Sequence, residues 1–228
     1  MIACAEWLGR TSATCTRGEA CICKREERFK VRALIYDIEI KKCIQGRHEP
    51  KRHEGMEYCD GWHDHANMGI SVIGAYDYVE DRTRVFCDDN MGDFLDLCDD
   101  RDVLVGFNSI AFDNAVIAAT IGIPAFPEAK CYDLLRELWA AAGLPPEFEG
   151  KTHGGFGLDA TCEKNFGTRK SGNGELAPVL WQQGKIGKVV DYCLNDIRLT
   201  KQVFDRVLGL GSLRHPKTGE ELKMRMPA

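Results

Sequence analysis

The hydrophobic pattern first becomes regular at Val31, where VRALIYDIEI runs β-branched and apolar for the length of a central strand. Residues 1 to 30 show no clear period and close on the charged run KREERFK, so they read as an N-terminal extension. After a polar, histidine-containing insertion at residues 41 to 67, NMGISVIGAYDYV reads as a second strand, EDRT as a turn and RVFC as a third strand. Those three make a plausible antiparallel trio. MGDFLDLCDD has the spacing of a short helix, DVLVGFN is a buried strand that breaks at Asn108, and FDNAVIAATIG continues as a helix that stops at Gly122 and Pro124. AKCYDLLRELWAAAG starts as an edge strand and turns into a helix closed by Gly143 and the Pro145, Pro146 pair.

Glycines crowd residues 150 to 157, which predicts a mobile loop, and LDATCEKNFG follows as a helix. GTRKSGNG at 167 to 174 is a second flexible loop. KVVDYCLNDIRLTKQVFDRVLGLG places Val189, Val190, Cys193, Ile197, Phe204 and Leu208 along an amphipathic helix that ends at glycine. The tail LRHPKTGEELKM reads as a hairpin turning at Lys217 to Gly219. This order of elements predicts an α/β fold in which the first and fourth strands lie side by side at the sheet centre. The expected organisation is an extension at 1–30, one α/β domain at 31–210 and a C-terminal hairpin or tail at 211–228.

Composition narrows the class. The 228 residues are 44% hydrophobic, enough for a proper core in one domain. No run approaches the roughly 18 to 20 apolar residues of a membrane helix, and the start MIACAEWLGRTSATC lacks the regions of a secretory signal. A soluble, intracellular protein with no membrane partner is the expectation. The 11 cysteines are odd in number and widely spread, which favours reduced thiols over a disulfide scaffold. Two groups invite a test for zinc, Cys15, Cys21 and Cys23, and Cys59, His63 and His65, although neither has paired C-x2-C spacing. The net charge of -5 argues against a general nucleic-acid coat protein but not against an enzyme that holds cations. Local positive groups, Lys41, Lys42, Arg47, Lys51 and Arg52, and Lys164, Arg169 and Lys170, are solvated loops or phosphate contacts.

Three acidic motifs carry the chemistry. Asp37 and Glu39 stand at i and i+2 near the end of the most strand-like run, so they point the same way. Burying such a pair costs several kcal/mol without a cation or donors, and the plain alternative is a solvated sheet face. N-S-I-A-F-D, Asn108 to Asp113, lies at a strand exit entering a helix, where α/β folds place ligands. Asp113 alone could equally be a helix-start residue. Tyr192 and Asp196 are i, i+4 on the long helix and share a face with Leu199 and Val203.

D-x-E, G-F-N-S-I-A-F-D and Y-C-L-N-D, in this order on these elements, resemble the three exonuclease motifs of the DEDD superfamily. The resemblance is greatest to the proofreading domain of family B DNA polymerases, and it covers about residues 31 to 208, including GLDATCEKNFGTRK between the second and third motifs. His-type members carry histidine five residues before the last Asp, where this chain has Asp191; Tyr192, four before it, indicates the Tyr type.

The resemblance implies a ribonuclease H-like three-layer fold with a central mixed five-stranded sheet, and metal-dependent 3'-5' exonuclease activity on a nucleic acid 3' end, DNA favoured over RNA. It implies two divalent cations, Mg²⁺ or Mn²⁺, roughly 3.5 to 4 Å apart, held by Asp37, Glu39, Asp113 and Asp196. Asp37 would bridge both ions, Glu39 and Asp196 would favour the ion holding the attacking water, and Asp113 would support the other. A free phenol with pKa around 10 is protonated at neutral pH, so Tyr192 would orient the water. Asn108 and Phe112 would shape the slot for the 3' end, with Phe112 stacking on a base or serving as core. Other readings remain open: an exoribonuclease with the same site, a catalytically silent nucleic-acid-binding domain, or a zinc module around Cys59, His63 and His65. The sequence names no protein partner, though replication or repair proteins fit such an activity.

Overall fold

Successive side chains of β1 (Ala33–Ile40) leave the sheet on opposite faces, and the two faces differ in character. Leu34, Tyr36, Ile38 and Ile40 enter a large apolar cluster with Phe94, Leu104, Val116 and Ile117. Asp37 and Glu39 lie on the other face. A computed structural model of the chain describes residues 31–45, 53–168 and 174–227. Expectations that fall on residues 1 to 30, including Cys15, Cys21 and Cys23, lie outside the described residues, as do Arg47, Lys51, Arg52, Arg169 and Lys170.

The described residues build an α/β fold around a mixed five-stranded sheet flanked by helices, consistent with the ribonuclease H-like expectation. β1 is central. It pairs antiparallel with β2 (Ile70–Asp77) and parallel with β4 (Val103–Gly106). β3 (Arg82–Phe86) lies antiparallel outside β2, and β5 (Cys131–Asp133) lies parallel outside β4. β3 starts two residues earlier than the sequence suggests. Asp81, at a left-handed φ of 50°, closes the turn early enough for Arg82 to pair with Asp77.

The helices are α1 (His65–Met68), α2 (Met91–Asp100), α3 (Asp113–Ile121), α4 (Leu134–Ala141), α5 (Gly150–His153), α6 (Leu158–Phe166), α7 (Ala177–Gln182) and α8 (Ile186–Leu210). α8 buries Val189, Cys193, Ile197, Val203, Phe204 and Val207, the repeat of a helix lying along a sheet. Gly74 on β2 permits its close approach. A Cβ there would stand 2.9 Å from Cys193 Sγ and 3.0 Å from Ile197 Cγ1, so any side chain would push the helix off the strand. A separate antiparallel pair, β6 (Ser212–Arg214) and β7 (Glu221–Lys223), follows α8.

The glycine-rich stretch 150 to 157 differs from the mobile loop expected of it. It contains α5, whose His153 is buried, donates through Nε2 to Pro145 O (2.9 Å), and stands edge-on to Trp139. α1 and α7 also went unforeseen, because four and six residues are too few to establish a helical period. No helix among the described residues is long and apolar enough to cross a membrane.

A buried ion pair ties together the ends of the two strands that flank β1. Arg101, just before β4, donates through Nε to Asp77 Oδ1 (2.8 Å) and through Nη2 to Asp77 Oδ2 (2.6 Å), at 3% and 0% exposure. Removing the cation would strand a desolvated carboxylate. Arg101→Ala should therefore cost about 3–5 kcal/mol in urea unfolding, and a loss below roughly 1 kcal/mol would show the pair to be dispensable.

Candidate active site

The face of β1 that carries Asp37 and Glu39 is covered by α8, so the alternative of a solvated sheet face is set aside. Glu39 is only 7% exposed. Gly74 and Val72 are the β2 partners of Asp37 and Glu39, and it is at Gly74 that α8 comes closest. This brings Cys193 onto the acidic pair, with its Sγ 3.5 Å from Asp37 O and 3.7 Å from Asp37 Oδ2. Ligand atoms of Asp37, Glu39 and Cys193 all lie within 4.8 Å of one another. Burial pushes the Cys193 thiol well up, and the Asp37 and Glu39 carboxylates push it further. It stays an S–H that donates to Asp37. A hard cation, which selects oxygen, would take the carboxylates as ligands and leave the thiol as a neighbour.

Asp113 arrives from the other side of β1. β4 pairs with β1 only over Ala33 to Ile35, and beyond that point the Ile38 N–H is taken by Asp113 Oδ1 at 3.0 Å. The carboxylate thus substitutes for a missing strand. Next to it, the Tyr36 hydroxyl donates to Asn114 Oδ1, anchoring the first turn of α3 to β1. Burial raises the Asp113 carboxyl to about 7, against the opposing hydrogen bond from Ile38, and the charges of Asp133 and Asp196 raise it as well.

The turn between β4 and α3 is tight. A Cβ on Gly106 would lie 2.4 Å from Ser109 Cβ, and Asn108 adopts a left-handed φ of 68°. Asp133, at the end of β5, holds this turn by accepting from Asn108 N (2.9 Å) and Ile110 N (3.1 Å). The same carboxylate caps α4 through Leu135 N (3.0 Å) and Arg136 N (3.4 Å). Sequence reasoning missed this residue. An Asp before the apolar run LLRELW signals an N-cap, but nothing local signals the grip on residues 108 to 110.

Tyr192 and Asp196 sit one turn apart on α8, Asp196 buried and Tyr192 half-buried. All seven predicted residues, Asp37, Glu39, Asn108, Phe112, Asp113, Tyr192 and Asp196, line one cavity of about 210 Å³. Trp62, Ile44 and Pro178 also line it and were not foreseen, because they come from the insertion and from α7. A larger cleft of about 700 Å³ shares Asp37, Asn108 and Asp196 and continues past Trp139, Phe148 and Phe156. Phe112 packs against the apolar cluster on one side and lines the cavity on the other.

The zinc alternative does not assemble among the described residues. Cys59, His63 and His65 form no converging ligand group. The Cys59 thiol is directed at Cys43 O and Gly61 O, and the His65 ring packs edge-on to Phe112. Lys41 and Lys42 are paired with Asp88 and Glu57.

No protein-family model and no curated protein matches the sequence. Among solved structures, the family B DNA polymerase from the hyperthermophilic archaeon Pyrobaculum calidifontis matches with a TM-score of 0.51 and 21% identity. The match covers 78% of this chain and 24% of the polymerase, so the chain spans about a quarter of that protein's length. The likeness is one of fold.

A raised Asp113 has a signed consequence for the cation-free protein. The folded state holds the proton to higher pH than the unfolded state, so stability is highest below the unfolded carboxyl range and falls as pH rises through about 7. Asp113→Asn keeps the acceptor for Ile38 but removes the charge. In EDTA, its stability relative to the parent chain should increase from pH 5 to pH 8. A difference that stays flat or reverses over that range in urea unfolding contradicts the burial of this charge.

Proposed function

We propose that this chain is a metal-dependent 3'-5' exonuclease that hydrolyses phosphodiester bonds at the 3' end of single-stranded DNA. One observation supports the reading most. Asp37, Glu39, Asp113, Tyr192 and Asp196 come from three separate segments and line a single cavity at the carboxyl ends of β1 and β4. The likeness of fold to a family B DNA polymerase supports a nucleic acid as the substrate. In this reading residues 31–210 are the nuclease domain and 211–228 an appended hairpin.

The donor set fits hard cations. It is all oxygen, three of its four carboxylates are buried and Asp37 is half-buried, and its mutual repulsion at Asp113 is the kind that divalent charge relieves. Asp37, Glu39, Asp113 and Asp196 would hold two Mg²⁺ or Mn²⁺ ions, which when bound supply charge stabilisation to the phosphodiester oxygens and acidify the attacking water. The remaining work falls to the chain's own groups. Ile38 N–H fixes the orientation of Asp113, and the Cys193 thiol donates to Asp37. Tyr192, one turn before Asp196, offers a hydroxyl to orient water. Asn108, held left-handed by Asp133, presents its amide to the sugar-phosphate end, and Phe112 offers a ring to a base.

A DNA oligonucleotide labelled at its 5' end tests this directly. The expected product is a ladder of shortened strands that appears with Mg²⁺ or Mn²⁺ and vanishes with EDTA; internal cuts or metal-independent cleavage would refute the assignment. A matched RNA oligonucleotide should be shortened more slowly. Asp37→Ala should lower the rate by roughly 10³-fold or more, the equivalent of several kcal/mol of lost charge stabilisation. Tyr192→Phe should cost roughly 10- to 100-fold, as for a group that acts by orientation, and equal losses in the two variants would count against that role.

A further inference from the structure

Trp62 is 58% exposed, yet it lines the same cavity as Asp37 and Glu39. Its ring centroid lies 5.7 Å from that of Phe112 at a tilt of 60°, so the two rings form one aromatic wall rather than a slot between them. An exposed tryptophan on a loosely tethered loop would be unremarkable, but this loop is tightly held. Gly61, at a φ of 129°, makes the turn just before it. Asp64 accepts from Asp60 N (2.8 Å) and Asn67 Nδ2 (2.7 Å), closing the loop behind Trp62. Cys59 and Met68 anchor the two ends in the core at 5% and 0% exposure. From α7, Gln182 accepts from Glu57 N (2.7 Å) and donates to Lys41 O (2.9 Å), pinning the base of the segment. The chain thus spends hydrogen bonds on both sides of Trp62 to hold a large apolar ring in solvent at the mouth of an acidic cavity.

We infer that Trp62 is the surface on which the terminal base of the substrate stacks, which makes the 59–68 loop a determinant of which strand ends the cavity accepts. This rests on the nuclease reading of the carboxylates. The ligand chemistry is a nucleobase presented by its flat face. Stacking tolerates any base and favours the larger purines, and it requires the end to be unpaired so that the face is free. Trp62 and Phe112 share that wall, with Phe112 backed by the core and Trp62 backed by the hydrogen-bonded loop.

The test uses the full chain in Ca²⁺ and a short oligodeoxynucleotide ending in 2-aminopurine, whose fluorescence falls on stacking, alongside an oligonucleotide ending in an abasic sugar. The parent chain should quench the probe and bind the base-bearing end more tightly than the abasic end. Trp62→Ala should weaken binding of the base-bearing end on the order of tenfold and leave the abasic end unchanged. Trp62→Phe should stay within about threefold of the parent, since a smaller ring still stacks. If the parent fails to quench the probe, or Trp62→Ala discriminates between the two ends as the parent does, the inference is overturned. The nuclease reading is judged separately by cleavage in Mg²⁺ and by Asp37→Ala, so base stacking without cleavage would refute that reading while leaving Trp62 as a base-binding surface.

Discussion

The arrangement depends on one electrostatic constraint: several carboxylates are held together where water is scarce. Asp113 and Asp196 are 5% and 4% exposed, Glu39 is 7% exposed, and Asp133 lies close enough for its charge to raise Asp113. Such a group is unfavourable in isolation, and the fold must supply the energy to hold it. It does so through backbone donors, with Ile38 N–H on Asp113 and four N–H groups on Asp133, and through the apolar face of β1 packed beneath. Stability and the proposed function therefore pull in opposite directions at this point, and divalent cations would reconcile them.

Geometry follows from small residues and from register. Gly74 lets α8 approach β2, and the pairing of Gly74 with Asp37 sets the acidic side chains under Cys193 and near Asp196. Gly106 lets the chain double back after β4 so that Asp113 reaches the end of β1. A one-residue slip of β1 would send Asp37 and Glu39 into the apolar cluster and turn Ile38 to the face that α8 covers. The alternation of Tyr36, Asp37, Ile38 and Glu39 excludes that slip on hydrophobic grounds alone.

Much of this was legible in the sequence because it rests on local pattern. β1, α2, α3, α6 and α8 announce themselves by period and by glycine stops, and the central pairing of β1 with β4 follows from the order of elements. The motif residues could be named because each motif is a short string. What stayed hidden depends on contacts between distant positions. Asp133 shows as a helix cap but not as the clamp on Asn108, and Trp62 sits in a polar insertion whose fold is set by Gln182, far along the chain. His153 turns a glycine-rich stretch into an ordered turn through a ring contact with Trp139 that no local rule anticipates.

The central claim is that this quartet of acids binds divalent ions. Calorimetric titration of Mn²⁺ into EDTA-stripped protein at pH 8 tests it most directly, with Asp37→Ala as the control. The account predicts saturable uptake of two ions per chain that is largely lost in Asp37→Ala. Absence of saturable heat in the parent chain, or the same isotherm in both proteins, would contradict it.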